Sequence, residues 1–289
     1  MMMKFSLFLL LILLGNTAQS AISTPERATL ERQLAALEQQ HQGRIGVALY
    51  HPDTGLSYGY RAEERFPFAS TFKALLAAAV LQRSEFDPQW LQQVVHYRAE
   101  DLLSYAPITR PHLARGMSRE ALAIASVQHS DNTAANLLLE ALGGLSEFNR
   151  FVAALGDQKF RLDRQEPDLN SALPGDDRDT TTPAAMAKTL SRLTLGNGLA
   201  APQQARFNAW LKGNTTGDAA IRAGVPTGWL VGDKTGGGGY GTTNDIAVLW
   251  PTQGAPMVLA LYFTQSTPDA KPQQAVLAEA TRLVLAAAP

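Results

Sequence analysis

Leu30, Leu34 and Leu37 recur at helical spacing behind Thr24-Pro25-Glu26, where a capping hydroxyl, a proline at the first helical position and an acid in the first turn predict a helix start. Two extended runs follow, Arg44 to Tyr50 and Leu56 to Arg61. Asp53-Thr54-Gly55 between them predicts a hairpin. The middle of the chain then takes on helical periodicity. Helices are predicted over Thr71 to Leu81, from a Ser118 cap through Val127, over Thr133 to Leu142 before Gly143-Gly144, and over Ser146 to Leu155 before Gly156. Thr182-Pro183 starts another that stops at Gly196, and Pro202 to Lys212 stops at Gly213. Apolar runs suited to a covered sheet return at Trp229 to Lys234, Asn244 to Trp250 and Met257 to Thr264, ahead of an amphipathic helix over Pro272 to Ala287. One stretch fits neither period. Arg161 to Thr181 is polar, proline-containing and aperiodic, and a loop of that length inside a compact domain is usually functional.

Strands at both chain ends can share one sheet, with the helical middle inserted between them. The expected fold is therefore α/β: an antiparallel sheet flanked by N- and C-terminal helices, carried by residues 21–65 and 213–289, plus an all-helical domain over 66–212. A cleft between two such units is where pockets tend to form.

Upstream of the first helix, Lys4, the apolar run Phe5 to Leu14 and the small residues of Ala18-Gln19-Ser20 predict a removable export signal over residues 1–20. The run falls short of the roughly 20 residues that cross a bilayer, which argues against a retained anchor. The mature chain is expected to be exported and free of the membrane, in the periplasm or secreted. Its 289 residues, 45% hydrophobic and 18% charged, suffice for a substantial core. A net charge of −1 and the lack of a basic stripe exclude a nucleic-acid partner. The absence of cysteine removes disulfides, thiolate nucleophiles and thiolate metal sites, and the five scattered histidines form no zinc motif. No metal or other cofactor is expected.

Four short segments carry candidate chemistry. In Ser70-Thr71-Phe72-Lys73 the hydroxyl and the amine lie about one helical turn apart. A serine attacks only once a base takes its proton, and a lysine serves only if its pKa falls toward about 7–8. Ser130-Asp131-Asn132 sits between two helices, either as a cap or as a proton relay (Ser130) beside a substrate-binding amide (Asn132). Lys234-Thr235-Gly236 runs into Gly237-Gly238-Gly239, either a glycine turn or bare backbone against which substrate can lie. There the Gly237 amide would donate to substrate while Lys234 and Thr235 bind a carboxylate. Glu166 and Asn170 lie within the long loop, whose acids and bases can pin its ends; Arg164 with Asp179 is the expected pair. A pinned loop can hold Glu166 as a general base, with Asn170 sharing its water.

Ser-x-x-Lys, Ser-Asp-Asn and Lys-Thr-Gly in this order resemble the class A β-lactamases and their relatives the penicillin-binding proteins, over essentially the whole mature chain. The resemblance implies the two-domain fold of that family, a monomer, and small-molecule β-lactams as substrates. It further implies an acyl-enzyme on Ser70, an oxyanion hole from the Ser70 and Gly237 amides, deacylation by Glu166 with Asn170, and Tyr105 flanking the substrate. Either Lys73 or Glu166 would activate Ser70. Glu166-Pro167 is a candidate cis peptide. The run from Gly232 to Val248 is similar to the cefotaxime-hydrolysing branch, which usually has serine where Gly237 stands. Many class A enzymes also grip the substrate carboxylate with an arginine, and the matching places here are Ala220, Thr243 and Gln273 or Gln274, with Arg222 nearby. No cysteine precedes Ser70 and position 238 is glycine, so the disulfide of some carbapenem-hydrolysing relatives is absent. The rival readings are a D,D-peptidase, which needs no water-activating glutamate, and a non-catalytic β-lactam sensor, which would normally be membrane-tied. An α/β-hydrolase is weaker, because Ser70 is not in Gly-x-Ser-x-Gly.

Overall fold

Side chains of a strand alternate between the two faces of its sheet, so a sheet buried on both sides reads as a continuous apolar run. Strands β1 (Gly43–His51), β8 (Thr243–Trp250) and β9 (Met257–Gln265) have this character, and they form the interior of a five-stranded antiparallel sheet. The computed structural model describes residues 22–288; the expected export signal over 1–20 lies outside them. The strand order is β2-β1-β9-β8-β7, with β2 (Gly55–Tyr60) and β7 (Leu230–Gly237) at the edges. The chain thus brings its N-terminal hairpin against its C-terminal strands, Val47 opposite Leu261 and Ile246 opposite Ala260.

The two faces serve different layers. Ile45, Val47, Leu49, Leu259, Leu261 and Phe263 face Leu30, Leu34 and Leu37 of α1 (Thr24–His41) and Val276, Leu277, Ala280 and Val284 of α8 (Gln274–Ala287). Ala48, Ile246, Val248, Ala260 and Tyr262 face the helical middle: α2 (Phe72–Phe86), α3 (Arg119–Gln128), α4 (Asn132–Ala141), α5 (Leu145–Ala154), α6 (Pro183–Thr194) and α7 (Ala201–Lys212). Helix α2 is its centre, buried without interruption from Phe72 to Leu81. At about 1.5–3 kcal/mol for each large apolar side chain removed from water, this helix is among the most firmly anchored elements of the chain. Four two-residue strands complete the set: β3 (Phe66–Pro67) pairs with β6 (Thr180–Thr181), and β4 (Val94–Val95) with β5 (Met117–Ser118).

Several boundaries differ from expectation. Ser70 sits in a separate 3₁₀ turn, Ala69–Thr71, with α2 beginning only at Phe72. β7 runs on to Gly237 rather than ending at Lys234, because β8 continues beside it and pairs Gly237 with Thr243. The C-terminal helix begins at Gln274 rather than Pro272. Among the described residues no helix is long and apolar enough to cross a membrane.

Candidate active site

Burial decides the electrostatics here. Lys73, on the first turn of α2, and Lys234, on β7, are both fully buried, and Ser70 is only 8% exposed. Lys73 Nζ meets Glu166 Oε1 at 2.9 Å and donates to Ser130 O at 2.8 Å and Asn132 Oδ1 at 2.6 Å, so all three ammonium protons have acceptors. Ser70 Oγ donates to that same Glu166 oxygen at 3.3 Å. Ser130 Oγ stands between the two amines, 3.4 Å from Lys73 Nζ and 3.2 Å from Lys234 Nζ. With the Lys234 amine donating to it, the Ser130 hydroxyl keeps its own proton for another acceptor.

Desolvation pushes the Lys73 amine below its ordinary range, and the Glu166 charge opposes the fall. Burial, with the neighbouring Lys73 charge, lowers Lys234 to about 7. The Lys73 charge thus works against that of Lys234, while the Glu166 carboxylate supports that of Lys73.

Local chemistry explains how each group is held. Asp131 caps α4 by accepting from the Ala134 amide at 2.9 Å, while its other oxygen takes the Ile108 and Thr109 amides at 2.9 and 2.8 Å. That clamp fixes the 103–109 segment, whose Tyr105 carbonyl accepts from the Asn132 amide at 3.0 Å. The Tyr105 side chain is half exposed. Asp131 being the cap frees Ser130, which adopts a left-handed φ of 56°. The capping and relay readings of this segment thus fall on different residues.

Glu166 has no regular element beneath it. Its loop is stitched instead: Arg164 Nε to Asp179 Oδ2 at 2.6 Å, and the Asp163 and Arg164 amides to Asp179 Oδ1 at 2.8 and 2.9 Å. The expected Arg164–Asp179 pair is present, and Asp179 is fully buried. Arg161 pairs with Asp163 at 2.7 Å, and Leu169 is buried in the helical core. Glu166 itself is gripped by Asn136, whose amide donates to its carbonyl at 2.9 Å and whose oxygen accepts its N–H at 3.1 Å. Asn170 donates to Glu166 Oε2, and its own Oδ1 is buried without a protein partner. The Glu166-Pro167 peptide is cis.

On the opposite wall, a Cβ on Gly236 would come within 2.8 Å of the Phe68 carbonyl, and one on Gly238 within 2.7 Å of the Asn170 carbonyl. Bare backbone is thus required at both positions. Gly237 differs: the nearest atom to a Cβ there is 3.7 Å away, so a side chain would fit. Thr235 Oγ1 lies 2.5 Å from Thr216 Oγ1, and the Lys234 amine also donates to the Thr235 carbonyl at 2.8 Å.

The structure therefore gathers Ser70, Lys73, Ser130, Asn132, Glu166, Asn170, Lys234 and Thr235 around one pocket, with Gly237 on the adjoining strand edge and Tyr105 joined through its backbone. Among the described residues, none of the places expected for a carboxylate-binding arginine holds one. Arg222 is held by Asp233 at 2.6 Å and by the Lys212 carbonyl; Ala220 is buried; Thr243 donates to Gly241 O; Gln274 reaches only the Thr216 carbonyl, at 3.4 Å. Sequence reasoning missed Asn136, Thr216 and the Asp131 clamp. Asn136 had a signal, since it stands four residues after Asn132 and so on the same helix face.

Residues 29–288 match the family described as the beta-lactamase enzyme family. The chain is 51% identical over 259 residues to a β-lactamase of Citrobacter koseri, covering 90% of this chain and 88% of that one. It is also 51% identical over 265 residues to β-lactamase Toho-1 of Escherichia coli, covering 92% and 91%. The solved β-lactamase of Desulfarculus baarsii superposes with a TM-score of 0.87 at 50% identity, covering 89% of this chain and 96% of that one. A mutant of the class A β-lactamase of the last common ancestor of Gram-negative bacteria gives 0.86 at 52%, covering 89% and 98%.

Proposed function

The chain belongs to the β-lactamase enzyme family, as a class A serine enzyme, and we propose that it opens the β-lactam ring through an acyl-enzyme on Ser70 which Glu166 then helps to hydrolyse. β-Lactamase activity of this kind confers antibiotic resistance. The observation that carries the reading is the single buried oxygen of Glu166 that meets both the Ser70 hydroxyl and the Lys73 amine.

Ser70 Oγ attacks the ring carbonyl while its proton passes to Glu166, directly or through water. Lys73 favours this route over taking the proton itself, because its three N–H groups already point at acceptors. The oxyanion forms against the Ser70 and Gly237 amides, where one lost donor typically costs 10²–10³ in rate. As the C–N bond breaks, the ring nitrogen takes the Ser130 proton, Lys73 replaces it, and Glu166 passes the proton it took from Ser70 to Lys73 across their 2.9 Å contact, which restores the carboxylate. A water held by Glu166 and the unpartnered Asn170 oxygen then gives its proton to Glu166 and attacks the ester, and Ser70 recovers its hydrogen. Lys234 and Thr235 bind the substrate carboxylate without help from an arginine, Asn132 the acyl side chain, and Tyr105 lines the mouth.

The enzyme works as an exported monomer, in the periplasm or secreted, after loss of residues 1–20. Its two units are 21–65 with 213–289 and 66–212, a division supported by the separate apolar clusters on the two sheet faces. The test is turnover of a chromogenic cephalosporin by the mature protein. Many turnovers per chain are expected; a single stoichiometric burst would replace this reading with a peptidase that is acylated once and stays blocked.

A further inference from the structure

A cavity of about 690 Å³ contains none of the reacting groups. One wall is the second half of the 161–181 loop, residues 172–177; the other is the end of α1, the start of β1 and the end of β9. Its volume lies in the range of small-molecule sites, roughly 300–1,000 Å³. Pro67, Ala172, Leu173 and Pro174 give it an apolar lining, and Leu173 is a large hydrophobic side chain left 46% exposed.

Its charges are unequally satisfied. Glu38 is bound by Arg61 and Tyr60, Asp176 by Arg178, and Arg44 by Glu64. Arg65 is different: half-buried, it donates one N–H group to the Lys159 carbonyl and to Thr180, and it has no carboxylate partner among the described residues. Asp177, the other charged lining residue outside an ion pair, is exposed, where solvent screens it. A guanidinium with spare donors beside an apolar wall recognises an anion attached to an apolar body.

We propose that this cavity is a second small-molecule site, for compact amphipathic organic anions, and that its occupant stabilises the loop conformation that holds Glu166. The coupling follows from shared chain. The lining begins at Ala172, two residues beyond Asn170, whose side chain touches Glu166 and whose carbonyl accepts from Gly239 at 2.8 Å. A ligand that binds only this loop conformation raises its population.

The probe is 8-anilinonaphthalene-1-sulfonate, titrated by fluorescence into the mature protein. One saturable site is expected, binding N-phenyl-1-naphthylamine, the same body without the sulfonate, about 10-fold more weakly, the factor that 1.4 kcal/mol represents. L173E, at an exposed position, should weaken the sulfonate by about the same factor while leaving cephalosporin turnover within about 2-fold. Arg65→Gln should erase the preference for the charged probe. Unfolding followed by circular dichroism should shift to higher temperature with the probe, and saturating cephalosporin should not displace it. No saturable binding, indifference to both substitutions, displacement by cephalosporin or a lowered unfolding temperature would each overturn the proposal. The fluorescence reads this cavity whether or not the chain hydrolyses β-lactams, so its failure is distinct from failure of the catalytic reading.

Discussion

Two regions carry the proposed reacting groups, and they are built on opposite principles. Lys73 rides on α2, a helix sunk in apolar side chains, and Ser70 on the turn that leads into it. Glu166 rides on a loop held by ion pairs, side-chain amides and two buried leucines, Leu162 and Leu169. Hydrophobic burial is non-directional and insensitive to pH, whereas the loop depends on charges and on hydrogen bonds of fixed geometry. The difference teaches where the enzyme is breakable: losing a reacting side chain on the helix side removes chemistry and spares stability, and losing a loop contact damages both.

The sharpest expression of that contrast is Ser70→Ala. Deleting one hydroxyl should lower kcat/KM on the order of 10⁶-fold, as for other serine nucleophiles, with the unfolding temperature nearly unchanged. Arg164→Ala attacks the loop instead. It leaves the buried Asp179 carboxylate unpaired, which should cost about 3 kcal/mol, or roughly 6–12 °C in Tm, and slow deacylation more than acylation. Equal losses in both steps would mean that the loop does not act through Glu166.

The two regions also titrate at opposite ends of the pH scale. On the helix and strand side, Lys234 falls to about 7, so the grip proposed for it on a substrate carboxylate should weaken as pH rises through that value. The kcat/KM profile should show an alkaline limb with an apparent pKa near 7, losing about 10-fold over the next unit, and Lys234→Arg should move it upward. Stability runs the other way. Between about 7 and the unfolded lysine value near 10.4, the unfolded chain holds a proton that the folded chain does not, so this group favours folding as pH rises. In the loop, hydrogen bonds from Arg161 hold Asp163 below the usual carboxylate range, and those from Arg178 hold Asp176 at about 2. Depressed carboxylates stabilise above their unfolded pKa near 3.9 and lose that contribution as pH falls toward 2. Both are screened by water, so the expected decline in Tm below pH 4 is a few degrees, the smallest effect of the series.

Much of this was legible in the sequence because the deciding signals are local. A hydroxyl and an amine one turn apart, a cap between two helices and a strand ending in glycines can each be read in place. So could the Arg164–Asp179 pair, because the loop is short enough for its two charged ends to meet. What was hidden depends on distant partners. Ladder bonding to β8 carries β7 through residues that resemble a turn in isolation. Asp131 clamps a segment more than twenty residues upstream. Asn136 reads as an ordinary helix residue until the backbone of Glu166 arrives against it.

The division of labour between the two regions is tested most directly by intact-protein mass spectrometry of the Glu166→Ala variant mixed with a penicillin. If the helix side supplies the nucleophile and the loop side the deacylating base, the spectrum will show the chain carrying the whole mass of one penicillin on Ser70, persisting long after the wild-type adduct has gone. A spectrum of unmodified protein alongside continued hydrolysis at the wild-type rate would contradict the account.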